Sequence, residues 1–193
     1  MQKRLNKFTY KCRRLVRKKL LLLPTIHKNV IKLHRMYCTL TGFLHVLPDF
    51  YIIGTQKGGT SSLYEYLVGH PSIQPCYSKE PSYFDRYFER GLNWYKVYFP
   101  FKIHRFITTK IFQKKFIVGE ASVRYLDHPY APQRIKQVTP NAKFIILLRN
   151  PITRAFSQHT QVKNNNRDSL TFKDAFLNEY KRTEEDYKKI FLD

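Results

Sequence analysis

The first 48 residues of this 193-residue chain contain no aspartate or glutamate, and no serine occurs before Ser61. That acid-free stretch holds 12 lysines and arginines, whereas residues 49–193 hold 23 against 14 acidic residues. Two different objects are therefore joined: a basic leader over residues 1–47 and a domain over residues 48–193. The leader, "MQKRLNKFTYKCRRLVRKKLLLLP", suits a helix lying on an anionic membrane, a nucleic-acid contact, a transit segment or an unstructured basic tail. Its lack of serine speaks against transit. Long apolar runs are missing as well. The run Leu20–Leu23, closed by Pro24, falls short of the roughly 18 to 20 residues of a membrane-spanning helix and of the roughly 7 to 15 of a secretory signal. Neither anchor nor signal is expected, which makes the cytoplasm the default compartment. Cysteine is scarce: Cys12, Cys38 and Cys76 are odd in number and far apart, which suits reduced thiols better than a disulfide framework or a zinc site. What the chain does have is 42% hydrophobic and 16% aromatic residues, enough to bury the core of one domain. The positive surplus of that domain favours a polyanionic or phosphorylated ligand.

No repeat or low-complexity block interrupts the chain, so a single α/β unit is expected after the leader. "DFYIIGT", Asp49 to Thr55, is a short β-rich run between Pro48 and Gly54, the pattern of a buried strand. "TSSLYEYLVGHP" predicts a helix from about Thr60, closed by Gly69 and Pro71. A short aromatic helix follows in "GLNWYKVYFP", then a strand in Lys114 to Ser122 and a helix between Pro129 and Pro140. "NAKFIILLRNP" gives the clearest strand: Phe144 to Leu148 are apolar without a break, as a strand covered on both faces requires. Helices from about Ile152 and from Thr171 complete the series. Alternation of this kind predicts a parallel sheet with flanking helices.

The stretch "YIIGTQKGGTSSLYEYL" joins strand to helix through glycines, a corner where unpaired N–H groups and the positive helix end converge on an anion. A Walker A loop places its lysine after the second glycine. Counting from Gly54, Gly59 holds that second glycine position, so Lys57 stands two residues before it and Thr60 stands where the lysine belongs. The strand that should end in a metal-binding aspartate ends instead in Arg149. Both departures point to cations, rather than magnesium, meeting the charge of a phosphorylated ligand, and no metal is expected.

"GTQKGGTSSL" followed by "LLRNPITRAFS" is similar to the sulfotransferases that use 3′-phosphoadenosine 5′-phosphosulfate (PAPS). "YSKEPSYFDRYFERGLNWYKVYFP" and "VGEASVRYLDHPYAPQRIKQVTPNAKFIILLRNP" resemble the heparan sulfate and bacterial carbohydrate branch of that family, with coverage from about Pro48 onward. The resemblance implies a P-loop-like three-layer α/β fold, with a central parallel sheet flanked by helices, and PAPS as co-substrate. It also implies a further strand and a closing loop beyond Asp193, so the domain is expected to be short of its C-terminal part. Lys57 is expected to stabilise the leaving phosphate. Backbone N–H groups of Gly58, Gly59, Thr60 and Ser61, with the Thr60 and Ser61 hydroxyls, would hold the 5′-phosphate. Arg149 and Ser157, eight residues apart, would hold the 3′-phosphate.

On the acceptor side the resemblance makes Glu80 the general base, Asp85 its orienting partner or an acceptor ligand, and Lys79 and Ser82 substrate contacts. Ser82 stands where animal glycan enzymes carry histidine, and "EASVR" replaces their K-T-P, so Ala121 removes a substrate-side lysine. Glu65 and Glu120 compete for the base role, Glu120 from a strand end near the pocket. His70, His128 and His159 are read as turn and packing residues, and Trp94 as core with an option of stacking on a sugar. The acceptor is a carbohydrate hydroxyl or amine, and the Golgi lumen is the compartment by resemblance. A nucleotide kinase-like phosphotransferase is disfavoured by the early lysine and the missing acidic strand end. A nucleic-acid-binding module fits the leader but leaves the ordered loops unexplained, so no nucleic acid is expected.

Overall fold

The computed structural model describes residues 24–179, 181 and 183–185 of the chain. The basic run ahead of Pro24, on which the membrane and nucleic-acid readings fell, lies outside the described residues. At the centre are four parallel strands, β1 (Phe50–Gly54), β2 (Ile73–Gln74), β3 (Ile117–Ala121) and β4 (Lys143–Leu147), in the order β2-β3-β1-β4. Helices α1 (Pro24–Thr41), α2 (Thr60–Leu67), α3 (Leu92–Lys96), α4 (Lys102–Phe106), α5 (Ala131–Val138), α6 (Pro151–Asn164) and α7 (Phe172–Leu177) flank the sheet and connect its strands. Every residue of β1 is buried, so the unbroken apolar run there serves two covered faces. This is the expected three-layer α/β arrangement.

β4 departs from its expectation. Its apolar run predicts cover on both faces, yet Phe144 and Ile146 are 47% and 54% exposed. The reason is its place in the sheet. β4 is the outer neighbour of β1 and pairs with no further strand among the described residues. Phe144 still stacks on Tyr51 of β1, with ring centroids 5.6 Å apart. An apolar run reports that a strand can be buried; sheet order decides how much of it is.

The core also crosses the boundary expected between leader and domain. Cys38, His45 and Val46 are all buried. His45 Nδ1 bonds to the Phe99 carbonyl at 2.6 Å, and Val46 N–H donates to the Pro100 carbonyl at 3.0 Å. A β-bridge between His45 and Phe101 closes the contact. The end of α1 and the turn after it therefore belong to the packed unit, because residues 45–46 pair with residues 99–101. No helix among the described residues is long and apolar enough to cross a membrane.

The register of β1 against β4 sets everything that follows. Gly54 pairs with Leu147, and Thr55 N–H donates to the Leu147 carbonyl at 3.0 Å. A Cβ at Gly54 would lie 2.1 Å from that carbonyl oxygen, and the backbone there has φ of +151°. Only glycine lets the two strands approach so closely at this point. Gly54→Ala is expected to cost about 1–3 kcal/mol, read as a lower urea midpoint; an unchanged midpoint would contradict this packing.

Candidate active site

The corner after β1 is a tight turn that delivers a helix start. Gly58 N–H donates to the Thr55 carbonyl at 2.8 Å. Lys57 sits in the left-handed region at φ 67°, and Gly59 is the N-cap of α2 at φ 96° with no side-chain cap. The first N–H groups of α2, from Thr60 to Ser62, thus lack both an intrahelical partner and a side-chain cap, which leaves them for an anion. Gly58 is the exception to the expected set. Its N–H is already engaged inside the loop, because the turn that folds Lys57 back requires that bond.

Across from this corner, α6 is capped by Asn150, whose Oδ1 accepts the N–H groups of Ile152 at 3.0 Å and Thr153 at 3.3 Å. Pro151 occupies the first turn, where its missing N–H costs nothing. Arg149 stands between the end of β4 and this cap. Its Nη1 donates to the Lys57 carbonyl at 3.1 Å, and its Nε donates to Thr153 Oγ1 at 3.3 Å. The guanidinium thereby ties the strand end to the loop, and the carbonyl of the left-handed Lys57 is its acceptor.

One cleft of about 810 Å³ gathers Lys57, Gly59, Thr60, Ser61, Arg149 and Ser157 with Lys79 and Glu80. The two cations therefore share a cavity, and they come from adjacent strands, β1 and β4, rather than from opposite edges of the sheet. Gln161 also lines the cleft; it lies one turn beyond Ser157 on α6, and that i, i+4 spacing was the signal available in the sequence. A second cavity of about 820 Å³ shares Lys57, Arg149, Ser157 and Gln161 and continues along α6 past Phe156 to Phe172.

Gly58, Ser82 and Asp85 lie outside the lining of the first cleft. Asp85 is half-buried, and its Oδ1 is buried without a hydrogen-bond partner. Glu80 and Ser82 both have left-handed backbones, at φ 51° and 52°, conformations that cost non-glycine residues of order 1 kcal/mol or more each. Of the rival bases, Glu65 is exposed on α2 and outside the cleft, while Glu120 is wholly buried in the core. Burial raises the Glu120 carboxyl to about 7, against the lowering effect of hydrogen bonds from Tyr95, Ser122 and Tyr125. The strand-end position that suggested a pocket residue instead directs Glu120 inward.

His70 and His128 each accept an N–H two residues on, from Ser72 and Tyr130, and His159 Nε2 bonds to the Leu170 carbonyl at 3.0 Å. None of the three lines the cleft. Trp94 is buried between Tyr87 and Tyr98, with ring centroids 5.4 and 5.0 Å away.

A parallel sheet whose strand–loop–helix corner meets a strand-end arginine over one cleft defines the P-loop-like α/β class. Within it, the chain belongs to the Sulfotransferase family, whose sequence model matches residues 48–191. Over 114 residues it is 39% identical to heparan sulfate glucosamine 3-O-sulfotransferase 6 of Homo sapiens, a match covering 59% of this chain and 30% of that protein. Membrane-associated sulfotransferase kil1 of Dictyostelium discoideum is 38% identical over 118 residues, covering 61% of this chain and 24% of that protein. A sulfotransferase structure from Alicyclobacillus acidocaldarius aligns with a TM-score of 0.55 and 33% identity, covering 72% of this chain and 60% of that one. The chain spans less than a third of the length of these two curated relatives.

Removal of the α6 cap tests how the strand-end cation is held. Asn150→Ala should cost about 1 kcal/mol in urea unfolding; no shift of the midpoint would mean that the cap contributes nothing to the placement of Arg149.

Proposed function

We propose that the chain transfers a sulfuryl group from PAPS to a hydroxyl or amine of a carbohydrate. The observation that carries this reading is the single cleft shared by Lys57, Arg149, Ser157 and Glu80, which offers two cations to a doubly phosphorylated nucleotide and one carboxylate to an acceptor. The first N–H groups of α2, with the Thr60 and Ser61 hydroxyls, hold the 5′-phosphate. Arg149 and Ser157 hold the 3′-phosphate. The acceptor oxygen or nitrogen attacks sulfur in line with the bridging oxygen. As the new bond to sulfur forms, the old S–O bond breaks, and adenosine 3′,5′-bisphosphate leaves with the electron pair. Lys57 neutralises the charge that grows on that leaving oxygen, and Glu80 takes the proton from the acceptor. Lys79, beside Glu80 in the cleft, contacts substrate, while Ser82 and Asp85 act from the segment behind the base.

The strand end argues for cations as the charge-neutralising groups. Arg149 occupies the position where a phosphate-hydrolysing relative of this fold places its metal-binding aspartate. A carbohydrate acceptor accords with the heparan sulfate activity named for one matched relative, and with a glycan acceptor the Golgi lumen is the fitting compartment. Ala121, in place of a lysine, leaves the choice of glycan open to a chain other than heparan sulfate.

Calorimetry with adenosine 3′,5′-bisphosphate in the absence of magnesium should give saturable binding. Transfer of radiolabelled sulfate from PAPS to a panel that includes heparan sulfate oligosaccharides should label at least one glycan. Lys57→Ala is expected to abolish transfer, while Arg149→Ala weakens nucleotide binding roughly tenfold or more, as loss of a charge-assisted contact does. Undiminished transfer by Lys57→Ala would reject the role given to the loop.

A further inference from the structure

Behind Glu80 the chain is gripped by groups the transfer chemistry does not use. The Tyr125 hydroxyl oxygen accepts the N–H of Tyr83 at 2.9 Å and that of Phe84 at 3.5 Å. The Phe84 carbonyl accepts from Arg134 Nη1 at 2.7 Å. Tyr83 stacks on Tyr95, with centroids 4.5 Å apart and planes 9° from parallel. Both phenols then converge on one carboxyl. Tyr95 donates its hydroxyl to Glu120 Oε2, Ser122 donates to Oε1 at 2.7 Å, and Tyr125 is hydrogen-bonded to the same group.

A fully buried carboxyl is a costly way to fill a core, and an apolar side chain of similar volume is often neutral or stabilising in its place. What Glu120 adds is direction. It accepts hydroxyls from the helix α3, through Tyr95, and from the turn after β3, through Ser122 and Tyr125, and so fixes the rotors of Tyr95 and Tyr125. Fixing those rotors aims the Tyr125 oxygen at the backbone of the acceptor-side segment. The segment needs such a restraint, since Glu80 and Ser82 are left-handed non-glycine residues, and conformations of that kind persist only where the surroundings over-determine them.

We infer that Glu120 is a positioning residue: through Tyr95 and Tyr125 it locks the backbone at Tyr83 and Phe84, and thereby sets where Glu80 stands in the cleft. The consequence for turnover rests on the sulfuryl-transfer reading; the lock itself does not. Glu120 is also placed to make the lock sensitive to pH. Its carboxyl is raised to about 7 by burial, with Asp85 adding to the rise. The other groups facing it, Tyr51 on β1, Tyr64 on α2, Cys76, Tyr95 and Tyr125, are all pushed upward by burial and stay neutral in that range. A raised carboxyl favours the folded state in its protonated form. Stability from Glu120 is therefore complete below the unfolded value of 4.5 and is lost as pH rises through about 7.

The test uses the full chain, with Glu120→Gln and Tyr125→Phe. Hydrogen exchange of the Tyr83 and Phe84 amides should be slow in the parent and at least roughly tenfold faster in both variants. The emission of Trp94, the one tryptophan of the chain and 6.4 Å from the Tyr83 ring, should titrate near about 7 in the parent and be flat in Glu120→Gln. Affinity for adenosine 3′,5′-bisphosphate should stay within about twofold, while transfer to whichever glycan of the panel the parent labels falls roughly tenfold or more, the size of loss that misplacement of a reacting group brings. Unchanged exchange and an unchanged emission titration in Glu120→Gln overturn the lock. Nucleotide affinity that falls in step with transfer also overturns it, because the effect is then global. Should Glu120→Gln fail to fold, exchange in Tyr125→Phe decides alone: slow amides there reject the lock. A parent that binds no nucleotide defeats the transfer reading and leaves the exchange and emission results to decide the lock.

Discussion

The parallel pairing of β1 with β4 is the constraint on which the site depends. Register places Gly54 beside Leu147, so both strands end at the same level and their following residues meet. The bond from Thr55 N–H to the Leu147 carbonyl continues the ladder by one step into the loop. Two residues beyond Leu147, Arg149 is then within reach of the Lys57 carbonyl. A slip of one residue would turn each side chain of β4 to the other face and take the guanidinium away from the loop.

That meeting point also accounts for the early lysine. A loop that hands its lysine to the first turn of the helix must leave the helix start open to it. Here Lys57 is held in the turn itself, at a positive φ, with Gly58 bonded back to Thr55. Its carbonyl faces Arg149, and the uncapped start of α2 remains open to an anion. Positive potential thus comes from a helix dipole and two side chains that converge on one cleft.

The acceptor side is built by different means. No regular element carries residues 75–87; an aromatic cluster does, with Tyr83 and Phe84 packed on Tyr95 and Tyr125. Backbone polar groups in such a segment need partners outside a ladder, and Tyr125 and Arg134 supply them. Aromatic content, which in composition signalled only a large core, is used here to hold a loop. The outer face is less complete: Phe144 and Ile146 on β4, with Ile152 and Phe156 on α6, leave apolar surface exposed among the described residues.

Local chemistry in the sequence was sufficient for the strand–loop–helix corner and for the alternation that makes a parallel sheet. Each of those rests on residues near one another in the chain, where backbone preference and spacing act directly. Longer-range relations were not legible. Nothing near Gly58 announces that its N–H is used within the loop, and nothing near Glu120 tells whether a strand-end carboxylate faces a cleft or the core. The exposure of β4, the return of residues 45–46 to residues 99–101, and the inward turn of Glu120 depend on which segments pack against which. Burial and hydrogen-bond pairing between distant residues are properties of the assembled chain, and only the tertiary structure decided them.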